Sequence, residues 1–211
     1  MSVRDGEPVR VLLRLRAELA HVPLSDEIAQ KLEAYFTLLR RWNRTINLTS
    51  LPLDPPTDAS VDRLLIEPLT AIPFLAAKPS VWFDLGSGGG SPAIPLQIAH
   101  PANQLHMVES KERKAAFLRE VVRELGLTGA EVLGTRIEAL LDEERSRSIA
   151  DLVTVRAVRL SAPLFSQLDL LMRAGGQAAL FGTTPQKLDL PKGLEIQSVE
   201  PSLIVLRRTQ V

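Results

Sequence analysis

Apolar positions recur along this chain in two rhythms, and the change between them falls near residue 79. Leu12, Leu15 and Leu19 stand at helical spacing within EPVRVLLRLRAELA. The next stretch is clearer. Ser25 can cap a helix, Asp26 and Glu27 suit its positive end, and Ile28, Leu32, Tyr35, Leu39 and Trp42 follow at steps of four and three. After the proline-rich loop LPLDPPTDAS, Val61, Leu64, Leu65, Leu69 and Ile72 predict another helix, disturbed by Pro68 and ended near Pro73.

From residue 81 onward, short apolar runs alternate with helical stretches. VWFDL, QLHMVE, AEVLG, ADLVTV and QAALFG read as strands. PAIPLQIA, KERKAAFLREVVREL, RIEALL and SAPLFSQLDLLM read as the helices between them, with Gly175-Gly176 turning the chain into the fifth strand. LEIQSVE and SLIVLRR, separated by one proline, predict a closing hairpin. The whole predicts an α/β, Rossmann-like fold. It would be a mostly parallel seven-stranded sheet with helices on both faces. A helical extension over 1–78 would precede a domain over 79–211, the two packed as one globular unit.

The chain's 211 residues suffice for such a domain with its extension. There is no cysteine, so no disulfide or thiolate-bound metal can form, and a reducing cytoplasm is the expected location. His21, His100 and His106 lack metal-ligand spacing, so no metal is expected. No membrane segment is expected either, since no run approaches the ~20 apolar residues of a spanning helix. Twenty-five Lys and Arg balance twenty-five Asp and Glu, so contact with nucleic acid would need a local basic face. The pairs Arg40-Arg41, Arg113-Lys114, Arg156 with Arg159, and Arg207-Arg208 are the candidates.

The first strand runs into Asp84 and then Gly86, Gly88, Gly89 and Gly90. Ligands of open α/β sheets bind at this strand end, and glycine lets them approach the backbone. Ser91 and Pro92 read as the cap and first residue of the following helix. A bare tight turn, a dinucleotide site and an S-adenosylmethionine (SAM) site are the three readings. The dinucleotide motif would place glycine where Ser91 stands. An acid followed by Gly-x-Gly-x-Gly fits SAM best. The second strand ends in Glu109, a carboxylate placed to accept ribose hydroxyls or, more simply, to cap the next helix.

Several segments resemble the bacterial methyltransferases that make 7-methylguanosine in small-subunit (16S) ribosomal RNA, also called glucose-inhibited division protein B. They are RRWNRTINLTSL, FDLGSGGGSPAIPL, VESKERKAAFLREVVRELGL, GTRIEAL and DLVTVRAV, and together they span about residues 25–207. The resemblance implies a class I SAM-dependent fold, SAM as cofactor and small-subunit ribosomal RNA as partner, in a divergent and monomeric member. It also implies roles for particular residues. Asp84, Gly86, Gly88, Gly90 and Ser91 would form the cofactor loop, with Glu109 and Ser110 at the ribose. Ile137 and Glu138 would border the adenine. Arg156 would stand beside the cofactor as the residue most closely tied to transfer, unless it is spent on an ion pair with Glu138 or Asp84. Asn43, Arg44 and Asn47 would face the substrate.

The chain also departs from the family's usual pattern. It has Arg63-Leu64 and Glu67-Pro68 where Arg-His and Asp-Ser are usual, Ser91 and Ala93 around the first loop proline, and Phe181 where a lysine is usual. The readings outside ribosomal RNA are a small-molecule methyltransferase and a non-catalytic SAM-binding relative.

Overall fold

The computed structural model describes residues 7–183 and 188–209. Two helices open the chain, α1 (Glu7–Leu19) and α2 (Asp26–Asn43). Ser25 caps α2 as its sequence predicts, with its hydroxyl accepting from the Ile28 amide at 3.3 Å. The buried stripe of α2 is Ala29, Leu32, Tyr35, Phe36 and Leu39. Each large member contributes about 1.5–3 kcal/mol of hydrophobic stabilisation. In α1 the predicted stripe holds only at Leu12, which is partly buried against the core. Val9, Leu13 and Ala17 are buried, while Leu15 and Leu19 are 51% and 60% exposed. Both sets obey helical spacing, and packing against α2 and the later helical turns decides between them.

The third helical stretch is broken into α3 (Asp58–Val61), a π turn (Asp62–Ile66), α4 (Glu67–Thr70) and a 3₁₀ turn (Ile72–Phe74). Pro68 is the second residue of α4, which continues directly from the π turn.

The sheet follows. Its elements in chain order are β1 (Val81–Leu85), α5 (Ala93–Ala99), β2 (Gln104–Val108), α6 (Glu112–Glu124), β3 (Ala130–Leu133), α7 (Ile137–Asp142), β4 (Ala150–Arg156), α8 (Ala162–Leu171), β5 (Met172–Phe181), β6 (Leu194–Glu200) and β7 (Leu203–Arg208). The strand order is β3-β2-β1-β4-β5-β7-β6, parallel from β3 to β5, with β7 antiparallel to both its neighbours. The order therefore reverses between β1 and β4. A crevice opens at such a switch point beyond the strands' carboxyl ends.

Side chains alternate between two cores. Trp82, Leu105, Met107, Leu152, Ala179 and Val205 face the N-terminal helices together with α5 and α6. Phe83, Leu85, Val153, Val155, Leu180 and Ile204 face α7 and α8. Residues of the helical extension thus share one core with the sheet.

One difference from the sequence reading concerns β5. It begins at Met172 rather than after the glycine pair, and its pairing with β4 shifts register between Ala150 and Leu152. Gly175 lies at φ +76, and a β-carbon at Gly176 would come within 2.6 Å of the Ala150 carbonyl. The two glycines make an irregularity within a strand instead of the turn that starts it.

Candidate active site

Two adjoining recesses of about 400 and 460 Å³ lie at the switch point, and Gly86, Glu109 and Val158 line both. They form one cleft. Its first part runs between the ends of β1 and β2 and the starts of α7 and α8, with Ser110, Ile137, Glu138 and Leu164 in its walls. Its second part runs from the glycine loop to the N-terminal extension, between Leu48–Leu51, Arg63, Gly88, Ser91 and Arg156.

The glycine loop departs from helical and extended geometry in a way only its composition allows. Gly86, Gly88 and Gly90 have φ of +70°, +52° and +90°. At Gly88 a β-carbon would meet no protein atom closer than 3.6 Å, so the bare backbone there faces open cleft. Gly90 is different. Its β-carbon would strike Ile94 Cγ1 at 2.8 Å, so glycine serves internal packing, and Gly90 does not line the cleft. Gly89, which motif reading passes over, lies under the extension. Its carbonyl accepts from the Tyr35 hydroxyl at 2.6 Å, and burial raises the Tyr35 pKa and keeps it a donor.

Glu109 is almost fully buried. Its Oε2 accepts from the Gly88 amide at 3.0 Å and its Oε1 from the Lys111 amide at 2.7 Å. It therefore braces the glycine loop and the approach to α6 while lining the cleft. A carboxylate has about four acceptor sites, so two remain.

Asp84 does not line the cleft. It is 1% exposed, and Thr154, its neighbour in register on β4, donates to its Oδ1 at 2.5 Å. The same hydroxyl accepts from the Trp82 indole at 2.9 Å. Burial raises the Asp84 pKa to about 6, against the lowering effect of the Thr154 and Ser87 hydroxyls. Asp84 thus supports the loop from below rather than touching a ligand.

Ser91 is not a helix cap. α5 starts two residues later without a side-chain cap, and the Ser91 hydroxyl instead donates to the Leu64 carbonyl at 2.9 Å. Asn43 also turns inward. Its Oδ1 accepts from the amides of Leu48 and Thr49, and its Nδ2 donates to the Thr49 carbonyl, so it shapes the loop that walls the cleft. Arg44 pairs with Asp54 on the surface, and Asn47 is exposed outside the cleft. Polar residues following an apolar helix stripe read alike in sequence whether they face a ligand or tie a turn. Glu138 is on the cleft wall, held by Gln167 at 3.0 Å.

Arg156 emerges at the carboxyl end of β4, as expected, but its side chain is only 9% exposed, with both Nη atoms engaged and the buried Nε without a hydrogen-bond partner among the described residues. Nη2 pairs with Glu67 at 2.9 Å, and Nη1 donates to the Arg63 carbonyl and to Ser91 Oγ. The ion-pair partner is therefore neither Glu138 nor Asp84. The guanidinium also lies over the Phe181 ring, 5.1 Å from its centroid. Burial lowers its pKa to about 10, countered by Glu67, so it stays protonated. Glu67 also receives Arg63 at 2.9 Å. The Arg63 guanidinium in turn occupies the space where a β-carbon at Gly182 would stand. Glu67, Ser91 and Phe181, scattered as departures along the chain, meet around this one arginine, and Ser91 ties in the Leu64 carbonyl.

Among the basic pairs, Arg41 is tied to Glu120, and Arg208 to Asp169. Arg207 and Arg208 are the last residues of β7, paired with Gln177 and Leu194 at the end of the sheet away from the cleft. Arg63 and Lys114 line the second part of the cleft, and Arg136 and Arg159 the first. Lys114 and Arg159 belong to pairs that the sequence offered, whereas Arg63 and Arg136 do not, and only the fold shows where the four gather.

The strand order, the glycine loop after β1 and the acid closing β2 define a class I methyltransferase fold. A crystal structure of a methyltransferase from Geobacter sulfurreducens shares it, with a TM-score of 0.57 at 15% identity over 93% of this chain and 96% of that one. Residues 28–191 match the family described as rRNA small subunit methyltransferase G, and the chain belongs to that family. A ribosomal RNA small subunit methyltransferase G of Stenotrophomonas maltophilia is 39% identical over 199 residues, covering 92% of this chain and 89% of the relative. One from Neisseria meningitidis serogroup C is 36% identical over 192 residues, covering 89% and 88%. Among the described residues, no helix is long and apolar enough to cross a membrane and no His, Cys, Asp or Glu cluster suits a metal.

Proposed function

We propose that this protein transfers a methyl group from SAM to N7 of a guanine in small-subunit ribosomal RNA. The observation that carries the proposal is the single cleft at the sheet's switch point, floored by bare glycine backbone, in a chain of this family. The open face at Gly88 and the two spare acceptor sites of Glu109 fit a nucleoside bearing a ribose. Glu109 would hold the ribose hydroxyls beside Ser110, while Ile137 and Glu138 would border the adenine. Gly86 and Gly88 would pass the amino-acid end toward the second recess. SAM supplies an electrophilic methyl on a sulfonium.

The residues of the second recess then have a modest chemical task. Guanine N7 carries a free lone pair, so no side chain need remove a proton before attack. Besides Glu109, already bonded to two amides, the recess offers arginine, lysine, serine and threonine, and no histidine among the described residues. Its walls would hold the base in line and keep water out, with the N-terminal extension as the outer wall. Arg63 and Lys114 would meet phosphate or base oxygens. Arg156 would act through the groups it orients, because its guanidinium is already bonded to Glu67, Ser91 and the Arg63 carbonyl. Relatives named for ribosomal RNA favour this substrate over a small molecule.

Nucleoside mass spectrometry of small-subunit ribosomal RNA, from cells with and without the gene, tests the proposal. One 7-methylguanosine should vanish with the gene and return with a plasmid copy. An unchanged modification profile overturns the proposal.

A further inference from the structure

The π turn before the sheet leaves the Arg63 carbonyl without a helical donor and the Leu64 carbonyl without its α-helical one, and proline is the reason. In an α-helix the Leu64 carbonyl would accept from the amide of residue 68, but Pro68 has none. The Arg63 carbonyl would accept from Glu67, but the Glu67 amide reaches one residue further back, to Asp62. The π-type donor for Arg63 would again be residue 68. Backbone carbonyls left short in a packed region need other partners. Both find them on the catalytic sheet. Ser91 Oγ, at the end of the glycine loop, donates to the Leu64 carbonyl at 2.9 Å. Arg156 Nη1, at the end of β4, donates to the Arg63 carbonyl and, at 3.2 Å, to Ser91 Oγ. Glu67, next to Pro68, closes the circuit through Arg156 Nη2 at 2.9 Å.

We infer that Pro68, Ser91 and Arg156 form a latch that sets the width of the second recess, and that they are positioning residues for methyl transfer. The latch joins three of the walls of that recess: the π turn carrying Arg63 and Leu64, the glycine loop ending at Ser91, and the β4 end continuing into Ala157 and Val158. It touches nothing in the far part of the first recess, where Ile137 and Leu164 stand. Its action is therefore on the geometry of the acceptor and not on the grip on the nucleoside. The inference rests on the methyl-transfer reading for its kinetic consequence and on geometry alone for its existence.

Pro68→Ala restores an amide at residue 68 and lets the turn close toward α-helical register. That would rotate Arg63 and Leu64 away from their donors. Transfer from labelled SAM to small-subunit RNA is measured with the full chain, wild type first, beside calorimetric binding of S-adenosylhomocysteine and thermal melts. Pro68→Ala should lower kcat by about tenfold or more, the scale of a misplaced acceptor. The S-adenosylhomocysteine Kd should move by less than about threefold, and Tm should hold or rise, because alanine suits a helix better than proline. A merely structural role would lower Tm and rate together.

Ser91→Ala should reduce kcat in the wild-type background and add nothing after Pro68→Ala, since the acceptor has already gone. The same cycle read in Tm does not depend on activity. The cost of Ser91→Ala should shrink when Pro68→Ala is present. Independent effects in both cycles, or full kcat in Ser91→Ala, overturn the latch. Should wild type fail to methylate the RNA, the substrate reading falls, and the Tm cycle still decides the latch. If Pro68→Ala does not fold, an undiminished kcat in Ser91→Ala overturns the latch, and a lowered kcat with S-adenosylhomocysteine Kd retained supports it.

Discussion

Replacing Glu109 by alanine separates two jobs that one carboxylate performs. Its oxygens accept the Gly88 and Lys111 amides at 3.0 and 2.7 Å and leave two acceptor sites toward the cleft. Removing the side chain takes a charged acceptor from both amides. Hydrogen bonds to charged groups contribute about 1.5–3 kcal/mol each, and cleft water can take over at Gly88, so a fall of about 2 kcal/mol in folding stability is expected. Loss of the ribose acceptors should separately weaken S-adenosylhomocysteine by about 1–3 kcal/mol, or roughly 5- to 150-fold in Kd. Glu109→Gln isolates the second effect. It keeps an oxygen for one amide but presents an NH₂ group where the other acceptor stood, so affinity should still fall while stability recovers in part. Calorimetry with S-adenosylhomocysteine and urea unfolding of all three proteins give both numbers. Unchanged affinity in both variants, with stability lowered, would refute a ribose role and leave Glu109 as a brace for the loop.

Two further outcomes are expected. Asp84 keeps its proton to about pH 6 in the folded chain, against an ordinary 3.8, so between those values the folded state binds the extra proton. Unfolding free energy should therefore decline as pH rises from about 4 to about 6, by ~3 kcal/mol in all. Asp84→Asn should remove that decline in urea titrations, and parallel pH profiles for the two proteins would count against it. RNA affinity should fall steeply with salt, and Lys114→Glu in the second recess should flatten the slope, whereas Arg207→Glu, far from the cleft, should not. Equal slopes in all three would place RNA elsewhere on the surface.

What the sequence discloses here divides along the range of the forces involved. VWFDL, its glycine run and the acid after QLHMV are local features, and each stands where its pattern predicts. Periodicity also finds α2 and α6, but it cannot choose between Val9, Leu13 and Ala17 and the Leu15–Leu19 stripe of α1, since both keep step with the helix. The site residues divide likewise. Glu109 is legible because a strand end fixes it. The partners of Arg156 are not, because Glu67 and the Arg63 carbonyl reach it through a turn whose register depends on one missing amide. Asn43 misleads for the same reason, since its acceptors and donors lie in a loop whose path is set by the sheet beneath it.

The separation along the chain of the groups around Arg156 bears on how the protein is made. Glu67 and the Arg63 carbonyl precede their arginine by 89 and 93 residues. During synthesis the amino-terminal helices therefore leave the ribosome well before the strand that completes them. Until then Glu67 has only Arg63, from its own turn, as a cationic partner. A nascent chain halted before β4 holds the glycine loop and Glu109 but lacks one wall of the second recess. The first recess waits as long, because Val158, Ser161 and Leu164 follow β4 in the chain, so both halves of the cleft are completed only when α8 has emerged.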